Sequence, residues 1–289
     1  MRFLRSFLGL AQPGEEPVVV SAYRANLNAV MYGVFCAIYL GTNILGLAAF
    51  TIWDFGGGIV FTCGYDIVFF VSLYVLSDIF AEVFGYRATR ITGILAMVMN
   101  IIVSGSLYFV NTYAPAEFVT MEGKAGGTSV WGWLPSASIL MTLGGSIIFM
   151  LGDWVNDVVH RFLHRRHLAA PKHGYRKYIS RTVGSSIAGR TFDAAVFSCC
   201  VAAPMMAAGL IDWGWGEPWT PGFFGCIFIG AVLLQVLLQV VIELVFSYPT
   251  YRLTSWLNTK VKAEDEKAGV AFNLVRPEIE NYDTLAMGV

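Results

Sequence analysis

The sequence predicts an all-α integral membrane protein, a bundle of six transmembrane helices with both termini in the cytoplasm. Three observations lead to this prediction. The composition is apolar, six apolar stretches are long enough to cross a bilayer, and basic residues are confined to alternate connections between those stretches. Together they predict which end of each helix faces the cytoplasm.

The composition is typical of a membrane protein. Of the 289 residues, 56% are hydrophobic and 13% are charged, about half the charged share of a soluble globular domain. The mean hydropathy is +0.61. Because the basic and acidic residues are segregated along the chain, the net charge of −1 says little about partners, and nucleic acid is not indicated as one.

Six stretches reach the length of about 20 mostly apolar residues that a helix needs to cross the hydrocarbon. They run approximately from Ala25 to Phe50, Tyr65 to Phe84, Ile91 to Tyr113, Leu134 to Val155, Val183 to Leu210 and Phe223 to Phe246. The connections at 53–58 and 114–133 are rich in Gly, Pro and Trp. This composition favours short loops on the outer side of the membrane.

Basic residues accumulate on the cytoplasmic side of membrane proteins, so their distribution predicts the orientation. They precede the first predicted span, follow the second, fill the connection between the fourth and fifth, and follow the sixth: Arg2, Arg5 and Arg24; Arg87 and Arg90; Arg161, Arg165, Arg166, Lys172, Arg176, Lys177 and Arg181; and Arg252, Lys260, Lys262, Lys267 and Arg276. The other three connections contain only Lys124. We therefore expect a cytoplasmic or interfacial arm at 1–24, a six-helix transmembrane domain at 25–259 and a cytoplasmic tail at 260–289.

Charged residues inside predicted spans are costly to insert, by about 2.5–3.5 kcal/mol each at the bilayer centre, and usually face the interior of a bundle. We single out Asp78, Glu82, Arg190, Asp193 and Glu243, together with Asp153, Asn156 and Asp157 where the fourth span meets the cytoplasm. Arg190 and Asp193 are three residues apart, so they either pair on one helical face or line a solute cavity. Asp78, Glu82 and Glu243 lie toward the inner ends of their spans, where a side chain can extend to the interface.

Uncharged polar residues also occur within the predicted spans. For Asn43, Gln235 and Gln239 we expect hydrogen bonds between helices. The small residues from Gly184 to Gly189, which include Ser185, would let the fifth helix approach a neighbour closely.

The sequence does not indicate an enzyme. Four histidines (His160, His164, His167 and His173) lie in one segment, whereas the di-iron membrane hydroxylases that such a box resembles use about eight from several boxes. We therefore interpret this segment as a basic, lipid-facing cytoplasmic loop. No phosphate-binding loop and no Ser-His-Asp or Cys-His arrangement is apparent, so we expect no catalytic residues, no metal and no cofactor.

Four motifs resemble the queuosine precursor transporter family, also known as vitamin uptake transporters. The segment from Ser77 to Tyr86 (SDIFAEVFGY) is similar to that family's D-I-x-x-E-V-[YF]-G-Y signature, and Asn43 matches an Asn near the end of its first span. The segment from Ser180 to Phe197 resembles its R-x-x-x-S-x-x-x-x-x-x-x-D-[ST]-x-x-F motif, and the segment from Val240 to Pro249 its last helix.

The resemblance implies a transporter of the bacterial inner membrane that imports queuosine precursors, which are deazaguanine bases such as the cyano and aminomethyl forms, for tRNA modification. Substrate-binding candidates are then Asn43, Glu82, Arg181, Ser185, Arg190 and Asp193, with Asp193 or Glu82 reading the guanine-like edge. Asp78 and Glu243 are candidates for gating or for proton coupling, and uptake is either proton-coupled or facilitated.

The expected partners are a purine-like solute and membrane lipids, and a homodimer is left open. Two alternatives also remain open. One is a substrate-binding membrane subunit of an energy-coupling-factor importer, and the other is an assembly factor that docks partners on its basic loop and tail.

Overall fold

The computed structural model describes residues 20–46, 49–56, 60–113, 137–168, 174–210 and 214–270. Most of the predicted N-terminal arm, the whole of the predicted outer loop at 114–133 and the end of the predicted tail lie outside these residues.

The described chain is mainly helical, with six helices in the order that the sequence predicts. They are α1 (Ala22–Leu45), α2 (Ile67–Val83), α3 (Tyr86–Tyr113), α4 (Ala137–Leu168), α5 (Tyr175–Phe197, continued by a π-helical turn at Ser198–Ala202 and by Ala203–Ala207) and α6 (Pro221–Gly225, a π-helical stretch at Cys226–Leu234, then Gln235–Lys267).

Four of these helices are long and apolar enough to cross a membrane. The qualifying stretches are Ala22–Asn43, Tyr86–Ser106, Tyr175–Ala207 and Pro221–Lys267. Helix α2 has 17 residues, just short of a full span, and α4 carries its apolar residues in its first half and charged residues in its second. A membrane protein is thus supported, whereas the six-span count and the sides of the termini stay predictions.

A short β-hairpin makes the fold differ from the predicted all-α bundle. Strands β1 (Ala49–Asp54) and β2 (Val60–Gly64) pair antiparallel, with an irregularity between Thr51 and Trp53. The sequence Phe50–Thr51–Ile52–Trp53 is rich in aromatic and β-branched residues, which favour strands. The prediction extended the first span to Phe50 because apolarity alone does not distinguish a strand from the end of a helix.

Helices α4 and α5 lie in close contact through two glycines. An added Cβ at Gly189 would lie 2.8 Å from the Gly152 carbonyl oxygen, and one at Gly152 would lie 2.9 Å from the Asp193 Cβ. Only glycine fits at such a backbone approach. The prediction that small residues of the fifth helix allow a close approach is therefore confirmed at Gly189.

The last helix continues past the predicted domain boundary at 259 and ends at Lys267, within the predicted tail. Its final turns pack on the start of α1, where the Arg24 Nη1 lies 3.3 Å from the Asp265 Oδ2 and both side chains are buried. The Ser21 side chain accepts a hydrogen bond from the Arg24 amide and caps α1. Both ends of the described chain thus belong to the packed bundle.

A buried ion-pair cluster ties α3 to α4 through Arg90, which the sequence analysis counted only among the basic residues that follow the second predicted span. Arg90 is 1% exposed, and its guanidinium binds both Asp153 and Asp157, the latter at 2.8 Å. The Ser77 hydroxyl of α2 donates to Asp153 at 2.6 Å. Three helices therefore share one hydrogen-bonded network, in which each buried charge has an opposite charge beside it.

Candidate solute-binding site

A cavity of about 140 Å³ lies between the helices at the end of the bundle that carries the hairpin. Because a water molecule takes about 30 Å³ in the liquid, this space exceeds what one or two waters need. The cavity borders both π-helical segments, through Ser198 on α5 and Ala231 on α6. Such segments occur frequently at functional sites.

Aromatic rings line the cavity, and three of them, Tyr39, Phe70 and Phe149, pack against one another as one wall. Its aromatic lining consists of Tyr39, Phe70, Phe149, Phe197 and Trp215. The Tyr39 and Phe149 ring centroids are 4.9 Å apart, and those of Phe70 and Phe149 are 5.9 Å apart. A planar solute can stack on such a wall.

Polar side chains converge on the same space from five parts of the fold. They are Thr42, Asn43, Asp66, Thr142, Arg190, Asp193, Ser198, Gln235 and Gln239. Asn43 donates to the Tyr39 carbonyl oxygen at 2.9 Å, which leaves its own amide oxygen for a solute. Asn43, Gln235 and Gln239, for which the sequence suggested hydrogen bonds between helices, therefore share one cavity.

Asp193 is an acidic residue of the cavity that has no partner among the described residues. It is 8% exposed, and its carboxylate makes no hydrogen bond or ion pair with the residues that the structure describes. Gly152 and Gly189 of the α4–α5 contact lie beside it and set its position. A buried carboxylate that no protein group satisfies has the free acceptors that a donor-rich solute needs.

Arg190 does not pair with Asp193, so the helical i, i+3 pair suggested by the sequence was wrong. Its Nη2 lies 2.7 Å from the Glu243 Oε2 on α6, and its guanidinium lies 5.0 Å above the Tyr74 ring. Its Nε and Nη1 make no hydrogen bond with described residues. Arg190 is therefore part of the cavity lining, and Glu243 balances its charge.

Glu82 and Arg181, two further candidates, meet at the opposite end of the bundle and do not line the cavity. The Arg181 Nη2 lies 2.7 Å from the Glu82 Oε1, and the His160 Nε2 and His164 Nδ1 each lie 3.3 Å from the same oxygen. All four side chains are buried. We call these four residues the inner-end cluster, because they lie at the end of the bundle that the sequence predicts to be cytoplasmic. Their burial shows that His160 and His164 do not face lipid and that Glu82 does not extend to the interface.

The three remaining candidates lie between the cavity and the inner-end cluster. Ser185 is fully buried and donates to the Thr182 carbonyl oxygen of its own helix at 2.9 Å. Asp78 accepts one hydrogen bond from Asn156 at 3.4 Å, and its other oxygen has no partner among the described residues. Glu243 accepts from Ser186 at 3.2 Å in addition to pairing with Arg190. Neither Asp78 nor Glu243 extends to the interface, because both are buried.

Asp66 was not identified from the sequence, yet it lines the cavity. It lies in the turn between β2 and α2, before the first residue of the helix. Its only sequence signal is an acidic residue at the start of an apolar run, which is a common position at helix N-termini. Burial raises the pKa of the Asp66 carboxyl to about 6, so the group is still mostly ionised at neutral pH.

Among the described residues, no group of three or more His, Cys, Asp or Glu side chains is arranged to hold a metal ion.

Comparison with known proteins places the chain in one family. No curated protein and no solved structure matches the chain. A family model described as "Putative vitamin uptake transporter" matches residues 66–253, which include α2 to α5 and most of α6. The chain therefore belongs to this vitamin uptake transporter family.

Proposed function

We propose that this transporter imports deazaguanine precursors of queuosine, in their cyano or aminomethyl forms, across the bacterial inner membrane for tRNA modification. Three observations support the proposal. They are the sequence motifs from Ser77 to Tyr86 and from Ser180 to Phe197, the solute-sized cavity, and the match to a vitamin uptake transporter family.

The observation that carries the proposal is the unpartnered Asp193 carboxylate beside the free nitrogens of Arg190 in an aromatic-walled cavity. A guanine-like edge presents a carbonyl oxygen next to two N–H donors. One carboxylate accepts both N–H bonds side by side, and a guanidinium donates to the carbonyl oxygen. The ring face then stacks on Phe149 or a neighbouring aromatic side chain.

The inner-end cluster supports a gating role for Glu82 and Arg181 rather than direct binding. With the cavity at one end and a buried ion pair at the other, a bound solute reaches the far side only after the Glu82–Arg181 pair separates. Alternating opening of this kind is how transporters release a solute from a central site.

Asp78 is the better candidate for carrying a proton. Glu243 is held by Arg190 at 2.7 Å and by Ser186, whereas one Asp78 oxygen has no partner among the described residues. Intramembrane carboxylates of this kind often serve proton relays. Uptake that continues unchanged when the proton gradient is collapsed would assign facilitated transport instead.

The proposal is tested with purified protein and with cells. We expect each deazaguanine base to raise the apparent Tm of the wild-type chain, since a ligand that binds only the folded state stabilises it. Asp193→Asn removes one charge and one acceptor, so it should abolish both this shift and uptake while membrane insertion persists.

The matched control is Asp54→Asn, which makes the same change on the exposed hairpin, where Asp54 accepts from the Gly56 amide. We expect it to retain binding and uptake. Full uptake by Asp193→Asn, or the absence of any thermal shift with the wild type, would contradict the proposal.

A further inference from the structure

The Asp66 carboxylate is held against the cavity wall by two stretches of backbone. An added Cβ at Gly64 would lie 2.1 Å from the Asp66 Oδ1, and one at Gly46 would lie 3.2 Å from the Oδ2. Any larger residue at Gly64 would occupy the space of the carboxylate. The end of α1 and the end of β2 therefore both leave room for this one side chain.

No described cation forms an ion pair with Asp66. The ion pairs between described residues involve other carboxylates. These are Asp153, Asp157, Glu82, Glu243, Glu264, Asp265 and Glu266. Because Asp66 is mostly ionised at neutral pH, its charge faces the cavity without an opposite charge of the protein beside it.

The cavity as a whole is acidic. Asp66 and Asp193 both line it and interact electrostatically, and the one cation in the lining, Arg190, is balanced by Glu243. A carboxylate without a neighbouring cation, such as Asp66, attracts a positively charged solute in a partly desolvated space. Asp193 is only 8% exposed and has no partner among the described residues. The two acidic residues are therefore not a cluster on the protein surface.

We infer that the cavity selects the cationic aminomethyl base over the neutral cyano base, with Asp66 as the specificity-determining residue that binds the ammonium group. This inference rests on the proposed function and deepens it. The primary amine of the aminomethyl arm is protonated at neutral pH, as a lysine side chain is. The cyano group has neither a charge nor an N–H donor.

The two carboxylates divide the recognition of the base. Asp193 and Arg190 contact the guanine-like edge that both forms share, and Asp66 contacts the arm in which they differ. Losing Asp66 should therefore weaken the aminomethyl base selectively, whereas losing Asp193 should weaken both bases. A charged group that loses its buried partner typically costs at least a tenfold factor in affinity.

The test measures Kd for the two bases by calorimetry on the full chain in nanodiscs at pH 7.5. With the wild type we expect the aminomethyl base to bind about tenfold or more tightly than the cyano base. In Asp66→Asn we expect the aminomethyl Kd to rise by about the same factor while the cyano Kd changes little. Asp54→Asn, the matched carboxylate on the exposed hairpin, should leave both values unchanged.

Each other outcome has a distinct meaning. Equal or tighter binding of the cyano base to the wild type overturns this inference, and because that comparison uses no variant, it does not depend on how Asp66→Asn folds. An equal loss of both bases in Asp66→Asn also overturns it. Absence of binding of either base to the wild type instead overturns the proposed function itself.

Discussion

Replacing Gly152 with alanine tests the contact that positions Asp193. The new Cβ on α4 would lie 2.9 Å from the Asp193 Cβ, 3.2 Å from the Gly189 carbonyl oxygen and 3.2 Å from the Tyr74 hydroxyl. Two of these three neighbours are a Cβ and a backbone atom, which cannot rotate away. The substitution therefore forces α4 and α5 apart at the level of the cavity.

The size of the effect follows from the distances. Carbon atoms in van der Waals contact are about 3.5–4.0 Å apart, so the helices must separate by roughly 0.6–1.1 Å to accept the methyl group. Overpacking of this kind typically costs about 1–3 kcal/mol. The same movement displaces Asp193 by more than the ~0.5 Å that a preorganised site tolerates. We expect both lower stability and weaker binding of the base.

The assay compares apparent Tm values and base affinities of Gly152→Ala and Gly33→Ala. Gly33 lies within α1 with nothing within 4 Å of an added Cβ, so the same chemical change there meets open space. Alanine is favoured over glycine in a helix by about 1 kcal/mol, so Gly33→Ala should be neutral or slightly stabilising.

The contact between α4 and α5 would be refuted if the two alanine variants had the same Tm and the same affinity. If Gly152→Ala lowers the Tm but leaves the affinity unchanged, the close packing of α4 and α5 is supported. The claim that this contact positions Asp193 is then contradicted.

Two further predictions concern charged groups. Arg181→Met leaves the buried Glu82 without its closest cation and should destabilise the protein by about 3–5 kcal/mol, measured by thermal unfolding. The double variant Arg181→Met/Glu82→Gln should recover most of this loss, and no recovery would contradict the pairing. For Asp66, whose pKa is about 6, lowering the pH from 7 to 5 protonates the carboxylate, so the affinity advantage of the aminomethyl over the cyano base should shrink. Any titration that affects the binding of both bases equally cancels in the ratio of their Kd values. A ratio that does not change with pH would contradict the role of Asp66.

The elements of the bundle were largely predictable because each is determined locally. Apolar length and composition indicated six helices in the right order, and the described structure contains six. The hairpin was missed, since the residues from Ala49 to Asp54 are as apolar as a helix end and period alone does not separate the two. The extension of α6 to Lys267 was uncertain for the opposite reason, because a polar sequence gives no apolar signal.

The candidate site was predictable in part. Asn43, Arg190 and Asp193 were identified because polar or charged residues within apolar runs stand out, and all three line the cavity. Asp66 was missed, since its position at the start of an apolar run has an ordinary explanation in helix formation. Glu82 was identified as a charged residue near the inner end of its span, but the sequence did not show that it is buried beside Arg181 and outside the cavity lining.

The sequence by itself determined the membrane class, the family and the short set of intramembrane charges, because these depend on composition, length and motif order. Only the tertiary structure decided which charges are neutralised. Helical spacing suggested Arg190 with Asp193, whereas the fold pairs Arg190 with Glu243 of α6 and gathers Arg181, His160 and His164 around Glu82. In a low-dielectric interior a charge takes the partner that helix packing brings nearest, and that choice depends on neighbouring helices far away in sequence. Asp193 is left without such a partner, and it is the residue on which binding of the solute depends in our proposal.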